Sequence, residues 1–526
     1  MKRDFSLLTD REFDLLICGG GIYGAWIAYD AALRGLRVAI VEQGDWASAT
    51  SSASSKLIHG GLRYLETYDF KLVRKALTER RRLLKAAPHR VWRLRFGVPV
   101  YAGSRIGTLQ LKAGLILYDF LAWLSGANRA GKDMAHRHFG RNAFAERFPF
   151  LKGMGLKGGF TYGDAQTDDA RLVLELIAGA MEAGVVCVNY CRITGYVESS
   201  GQVSGATIQD MLRHNSAQVS TRQIVNTSGQ WTAASEQGRG WCRLSKGIHL
   251  VMPALPTDEA LLLTARSDGR VFFMIPWYGM TLIGTTDTDY SGNLDHVAVE
   301  AEEVAYLLAE ANHYFDKAWT ERDMVGSYAG LRVMKRNDAA SPSAVSRDWE
   351  LKTASNGVHY SIGGKITSAR EDAASIVNTV CAQLGVDVPC QTISRRFPWT
   401  PEQDYLEWSA SINAHARLLG IDQESAGWLA RRHGKRVEEV LRKVENDAKL
   451  AERITPALPF IYADLLFSAS DEMVMHLHDL LRRRMPLLIL AKLTESDLRR
   501  IAAAVAPVMG WDDATINREV EACRQR

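Results

Sequence analysis

FDLLICGGGIYGAWIAYDAALRGLRVAIVE, residues 13–42, is the stretch that decides the fold. Phe13–Cys18 is an apolar run closed by glycines, the pattern of a strand buried on both faces of a parallel sheet. Residues 22–34 have helical character, and Gly35 follows as a C-cap because glycine enters the left-handed region without a Cβ penalty. Val38–Val41 is a second strand, closed by Glu42, so the stretch is a complete βαβ unit. Between strand and helix, Gly19, Gly21 and Gly24 complete the pattern G-x-G-x-x-G. Such glycines make a tight turn and let backbone approach a pyrophosphate at the positive end of the helix. Glu42 stands where a carboxylate accepts from ribose hydroxyls. Set between two strands, the pattern reads as a dinucleotide site rather than a turn that serves packing alone, but it does not choose between FAD and NAD.

Outward from this unit, 526 residues are too many for one core, and two or three packed units are expected. A net charge of +4 makes no case for nucleic acid, and 47% apolar residues make none for disorder. The arginine runs 80–82 and 482–484 read first as solvated helix faces and second as contacts to anionic lipid. Seven cysteines without a C-x-x-C pair predict neither a zinc site nor a disulfide framework, and a reducing compartment. Cys187 and Cys191 read as packing residues on one face of a strand. The polar N-terminus is not a secretory signal, and no apolar run is long enough to span a membrane.

Residues 67–87 predict a charged helix stopped by Pro88, and residues 109–124 an apolar helix with only Lys112 and Asp119 charged. That second helix reads either as a membrane-surface element or as an interdomain core helix. Strands dominate 247–284; Val358–Gly364 enters a glycine turn, and Lys365–Cys381 predicts a long helix. After Cys390, Pro398, Thr400 and Pro401 form a linker to an almost wholly helical remainder, which divides the chain into 1–390 and 391–526.

The run SSASSKLIHGGLRYLE, residues 51–66, resembles the signature of the FAD-dependent, quinone-linked glycerol-3-phosphate dehydrogenases. Similar motifs recur in order: DDARLVLE (168–175), FFMIPW (272–277), IGTTDTDY (283–290), YAGLR (328–332), SRDW (346–349) and GGKIT (363–367). The resemblance implies an α/β fold like that of glycine and D-amino-acid oxidases. An FAD-binding Rossmann-type domain interleaves there with an antiparallel substrate-binding sheet, and a helical C-terminal domain follows. It implies oxidation of sn-glycerol 3-phosphate to dihydroxyacetone phosphate, with electrons passed to quinone at the cytoplasmic face of a membrane. Another phosphorylated or carboxylated alcohol, a flavin-bound protein without turnover, and a homodimer stay open.

By resemblance, Ser51, Ser52, Ser55, Gly229, Gly364 and Thr367 join the glycine motif and Glu42 at FAD, which is held non-covalently because no histidine or cysteine sits in an attachment motif. Alcohol oxidation needs a proton acceptor beside the flavin, and His59 inside HGGLRY is the choice. A phosphate calls for planar bidentate donors, which Arg63, Arg332 and Arg347 supply, with Tyr64 adding a hydroxyl and Arg270 in the same pocket. Arg332 and Lys365 are also read as catalytic, Lys365 against a developing alkoxide or the reduced flavin. The chain departs from the family at Gln230, where a turn proline is usual, at Ala369, where an aromatic is usual, and at the bulky Tyr23 and Trp26.

Overall fold

A computed structural model describes residues 1–126, 134–336 and 348–525. The predicted βαβ unit is present as β1 (Phe13–Cys18), α1 (Ile22–Leu33) and β2 (Val38–Val41), with every residue of β2 buried. Among the described residues β1 lies inside an eight-stranded sheet, flanked by β2 on one side and by the strand Ser216–Asn226 on the other, parallel to both. His359–Ile362 and Val186–Val188 extend the parallel part. Strand order therefore reverses at β1, and its carboxyl end is the switch point where such sheets bind ligands.

A second sheet, ten-stranded among the described residues, holds the long hairpin of Val91–Tyr101 with Leu156–Thr167 and the strands Cys242–Met252, Val271–Trp277, Met280–Gly284 and Gly326–Lys335. It is antiparallel but for one pairing, of Ala260–Thr264 with Val91–Tyr101. The chain crosses between the two sheets repeatedly, the interleaving that the resemblance implied. Helices follow Asp404 almost without interruption. Their apolar residues form one local core around Trp408, Leu429 and Phe467 and share another with the second sheet, through Leu480 and Met485 against Tyr328 and Trp277.

Three expectations are corrected. The helix predicted from Lys365 begins at Ala369, because Gly363 and Gly364 hold φ of +75° and +94° and turn the chain before it can coil. Cys187 and Cys191 do not share a strand: Tyr190, at φ +53°, turns the chain between Val186–Val188 and Cys191–Ser199. Arg80, Arg483 and Arg484 are buried. Arg80 pairs with Asp164 while Arg81 stays exposed, so only one residue of the first run leaves the solvated face; the other two pair with Asp45, and the run 482–484 is not a solvated face.

The helices α2 (Phe70–Ala86) and α3 (Thr108–Leu124) pack together at one edge of the molecule. Leu115, Tyr118 and Leu121 of α3 point inward, whereas Leu109, Ile116, Phe120, Trp123 and Leu124 are exposed, Leu109 at 84%. An interdomain core helix would bury both faces. No helix among the described residues is long and apolar enough to cross a membrane.

Candidate active site

Two cavities meet at the carboxyl end of β1, one of about 980 Å³ and one of about 340 Å³, and both are lined by Gly21, Thr50, Ser51, Thr227 and Gly229. Gly19, at φ +105°, turns the chain so closely that a Cβ would lie 2.6 Å from the Thr227 carbonyl oxygen. Gly21 precedes the first turn of α1 and presents bare backbone to both cavities; the Ile22 amide beside it donates to Ser51 Oγ at 2.9 Å. Glu42 is buried in the wall of the smaller cavity and accepts from the amides of Gly20, at 2.6 Å, and Gly44, at 2.8 Å. Burial raises its carboxyl above the ordinary carboxylate range, and the two amides oppose that rise.

An elongated dinucleotide would fit this arrangement, its adenosine end beside Glu42, its pyrophosphate across the positive end of α1 and its ring system in the larger space. Gly21→Val would place a branched side chain in the pyrophosphate's path. If the dinucleotide is the FAD that the resemblance implies, the purified variant is expected to lack the flavin absorbance of the wild type; full yellow colour would mean that the nucleotide lies elsewhere.

Three residues expected at the cofactor line neither cavity. Gly24 lets helix and turn close together, since a Cβ there would lie 1.9 Å from the Gly19 carbonyl oxygen. Ser52 faces inward and donates to the Ala49 carbonyl at 3.3 Å. Thr367 stands behind His59 and accepts its amide at 3.2 Å. Ser51, Ser55, Gly229 and Gly364 do line the larger cavity.

The same cavity collects His59, Arg63, Tyr64, Arg270, Arg332 and Lys365. Lys365 Nζ lies 3.6 Å from the centroid of the Tyr64 ring and the Arg63 guanidinium 5.2 Å from it, so two cations converge on one aromatic face system. Arg332 donates to Asp287 Oδ1 and the Thr286 carbonyl, both at 3.1 Å, and to Thr285 Oγ1 at 3.0 Å. Arg270 reaches the Asp287 carbonyl at 2.6 Å. These bonds fix the orientation of both guanidinium groups, which would lower the ordering cost of binding an anion. Arg347 lies outside the described residues.

Two residues of the site escaped the sequence reading. His249 is buried in the cavity wall, with Nε2 2.9 Å from Ser55 Oγ and its ring stacked on Tyr328 at 4.8 Å. Burial, then Arg332 and Lys56, hold its pKa well below the usual histidine range, so the imidazole is neutral. Its one signal was a polar side chain inside the otherwise apolar run Gly247–Met252. Tyr23, noted only for its bulk, donates to Asp372 Oδ2 at 2.7 Å and accepts the Lys365 amide at 3.1 Å. Gly364 is required there, because a Cβ would lie 1.7 Å from that hydroxyl. Trp26, the other bulky departure, is buried edge-on against Phe397. Gln230, in place of a turn proline, donates to the Leu294 carbonyl at 2.5 Å.

Comparison with known proteins agrees with this fold. The family described as FAD dependent oxidoreductase matches residues 14–370, and the C-terminal domain of alpha-glycerophosphate oxidase matches residues 397–516. The chain is 33% identical to a glycerol-3-phosphate dehydrogenase of Synechocystis sp., over 99% of this chain and 97% of that protein. It is 33% identical to an aerobic glycerol-3-phosphate dehydrogenase of Staphylococcus aureus, over 91% of this chain and 87% of that one. Among solved structures, the Bacillus halodurans glycerol-3-phosphate dehydrogenase complexed with FAD superposes with a TM-score of 0.80 at 28% identity, covering 99% of this chain and 95% of that chain.

Proposed function

We propose, since the chain belongs to the FAD-dependent glycerol-3-phosphate dehydrogenase family, that it oxidises sn-glycerol 3-phosphate to dihydroxyacetone phosphate and delivers the electrons to a quinone. The observation that carries the reading is the meeting of His59, Tyr64 and four cations in a cavity whose inner wall is the dinucleotide turn. FAD, when bound, supplies the hydride acceptor. Arg63, Arg270 and Arg332 bind the substrate phosphate, and Arg347 joins them by its motif position. His59 takes the hydroxyl proton, with its backbone fixed from behind by Thr367. Lys365, in the same cavity, stabilises negative charge that develops on the carbinol oxygen.

The test is anaerobic mixing of the yellow protein with a panel of phosphorylated, carboxylated and neutral alcohols. Glycerol 3-phosphate should bleach the flavin and a quinone analogue should restore it. Bleaching by a carboxylated alcohol instead would assign the arginines to a carboxylate. Because FAD is held without a covalent bond, denaturation should leave all flavin in the supernatant; flavin on the precipitated chain would contradict this.

The exposed face of α3 supports contact with a membrane surface. Phe120 and Trp123 stack at 5.9 Å with about half of each exposed, and Lys112, Arg74 and Arg81 are exposed around them. Salt should weaken only the electrostatic part of binding, since screening acts over about 8–10 Å at physiological strength. Full release should need detergent. Trp123→Ser should lower binding to anionic vesicles about tenfold, the worth of one large apolar side chain. Quantitative recovery in a low-salt soluble fraction with full quinone reductase activity would sink the membrane contact.

A further inference from the structure

One wall of the smaller cavity is built from residues 42–49, of which Glu42, Gln43, Ala47, Ser48 and Ala49 face the space. Behind that wall stands Trp46, 1% exposed. A Cβ on Gly20 would lie 2.4 Å from its ring, so the phosphate turn rests directly on the indole. The Ala47 amide donates to the Gly20 carbonyl at 3.1 Å and ties the two segments.

What holds this wall comes from the far end of the chain. Trp46 Nε1 donates to Met473 Sδ at 3.3 Å. Asp45, also buried, accepts from Arg483 Nε at 2.5 Å and Arg484 Nη2 at 2.9 Å, and from Arg484 Nη1. Burial alone would favour the neutral acid, yet Arg484 and Arg483 hold the Asp45 carboxyl down at about 2. Arg484 also donates to the Glu472 carbonyl at 2.7 Å, and Arg483 to Asp479 Oδ1 at 2.7 Å. A buried charge cluster of this kind is costly to break, because removing one partner leaves the other uncompensated.

We infer that the C-terminal helical domain is part of the machinery that holds FAD: Met473, Arg483 and Arg484 latch Asp45 and Trp46, and through them position the wall and phosphate turn of the nucleotide cavity. Asp45, Trp46, Arg483 and Arg484 are positioning residues, since none of the four lines either cavity. The inference rests on FAD occupying these cavities. Coupling of this kind is reciprocal, so FAD must in turn tighten residues 472–484.

The experiment titrates FAD into the deflavinated full-length chain and follows quenching of flavin fluorescence. Asp45→Asn keeps the shape but removes the charge, and is expected to weaken FAD roughly 5- to 50-fold, within the usual range of coupling between sites. Arg484→Lys, a milder change, should fall between the two. The control is Asp464→Asn, which loosens the same domain at its Arg432 and His433 pairs and does not touch residues 42–49. It should lower Tm at least as much as Asp45→Asn while leaving FAD affinity within about twofold. Hydrogen exchange of the wild type needs no variant, and should show amides 472–484 better protected with FAD than without. The latch is overturned if Asp45→Asn binds FAD like wild type, if affinity merely tracks Tm across all three variants, or if exchange at 472–484 ignores FAD. A wild-type chain with no affinity for FAD would overturn the cofactor assignment and the latch together.

Discussion

His59→Asn is expected to slow reduction of the bound flavin by glycerol 3-phosphate about 10²- to 10⁴-fold, the usual contribution of a placed general base. Asparagine keeps a polar side chain of similar reach but accepts no proton at working pH. The loss should therefore appear in the rate of flavin bleaching at saturating substrate, with substrate affinity and flavin content near wild type. Rapid anaerobic mixing measures all three. A variant that reduces its flavin at the wild-type rate would remove His59 from the proton path. Neutral His249, which lines the same cavity, would then be the group to vary, together with Ser55.

Arg332→Ala is expected to lower kcat/KM for glycerol 3-phosphate about 10- to 150-fold, on the basis of roughly 1.5–3 kcal/mol for a lost charge-assisted hydrogen bond. Oxidation of unphosphorylated glycerol should change little, because that substrate offers the guanidinium no anion. Arg332→Lys should recover only part of the loss, since an ammonium keeps the charge without the planar fork. Asp287, 5% exposed and bonded to Arg332, would lose a cationic partner in the alanine variant, so flavin content must be checked alongside the rates. Equal losses for the phosphorylated and neutral alcohols would make Arg332 a support for Asp287 instead of a phosphate ligand.

How much of this was legible in the sequence depends on the range of the interaction. β1, α1 and β2 could be read because their apolar periodicity, glycine spacing and terminal acid are local, and all lie within residues 13–42. The motifs carrying His59, Arg63, Tyr64, Arg332 and Lys365 were legible only as a set. No spacing says that residues 59 and 365 meet, and the resemblance supplied that link. Long-range contacts explain part of the failures, and local backbone geometry the rest. Arg483 and Arg484 look like solvated charge until Asp45 is seen 438 and 439 residues away. Thr367 and Ser52 have the composition of cofactor ligands, yet their side chains are used on backbone behind the wall. The start of the helix after Lys365 was misread because glycines at positive φ interrupt a pattern that otherwise favours coiling.

The hydroxyl of Tyr23 reaches Asp372, 349 residues further along the chain, and the strand His359–Ile362 completes the parallel sheet beside Ser216–Asn226. On the ribosome these partners emerge far apart: at about 5–20 residues per second, roughly 20–70 s separate them. Until that interval is nearly over, the nascent chain carries β1 and the glycine turn without the segment 361–366 that lines the larger cavity. An N-terminal fragment therefore cannot trap the flavin as it is made, and its apolar strands must be shielded until the last third of the protein arrives. Cofactor capture is in this sense a late event in the life of the polypeptide, and chains that stall before residue 372 should be recovered colourless and prone to aggregate.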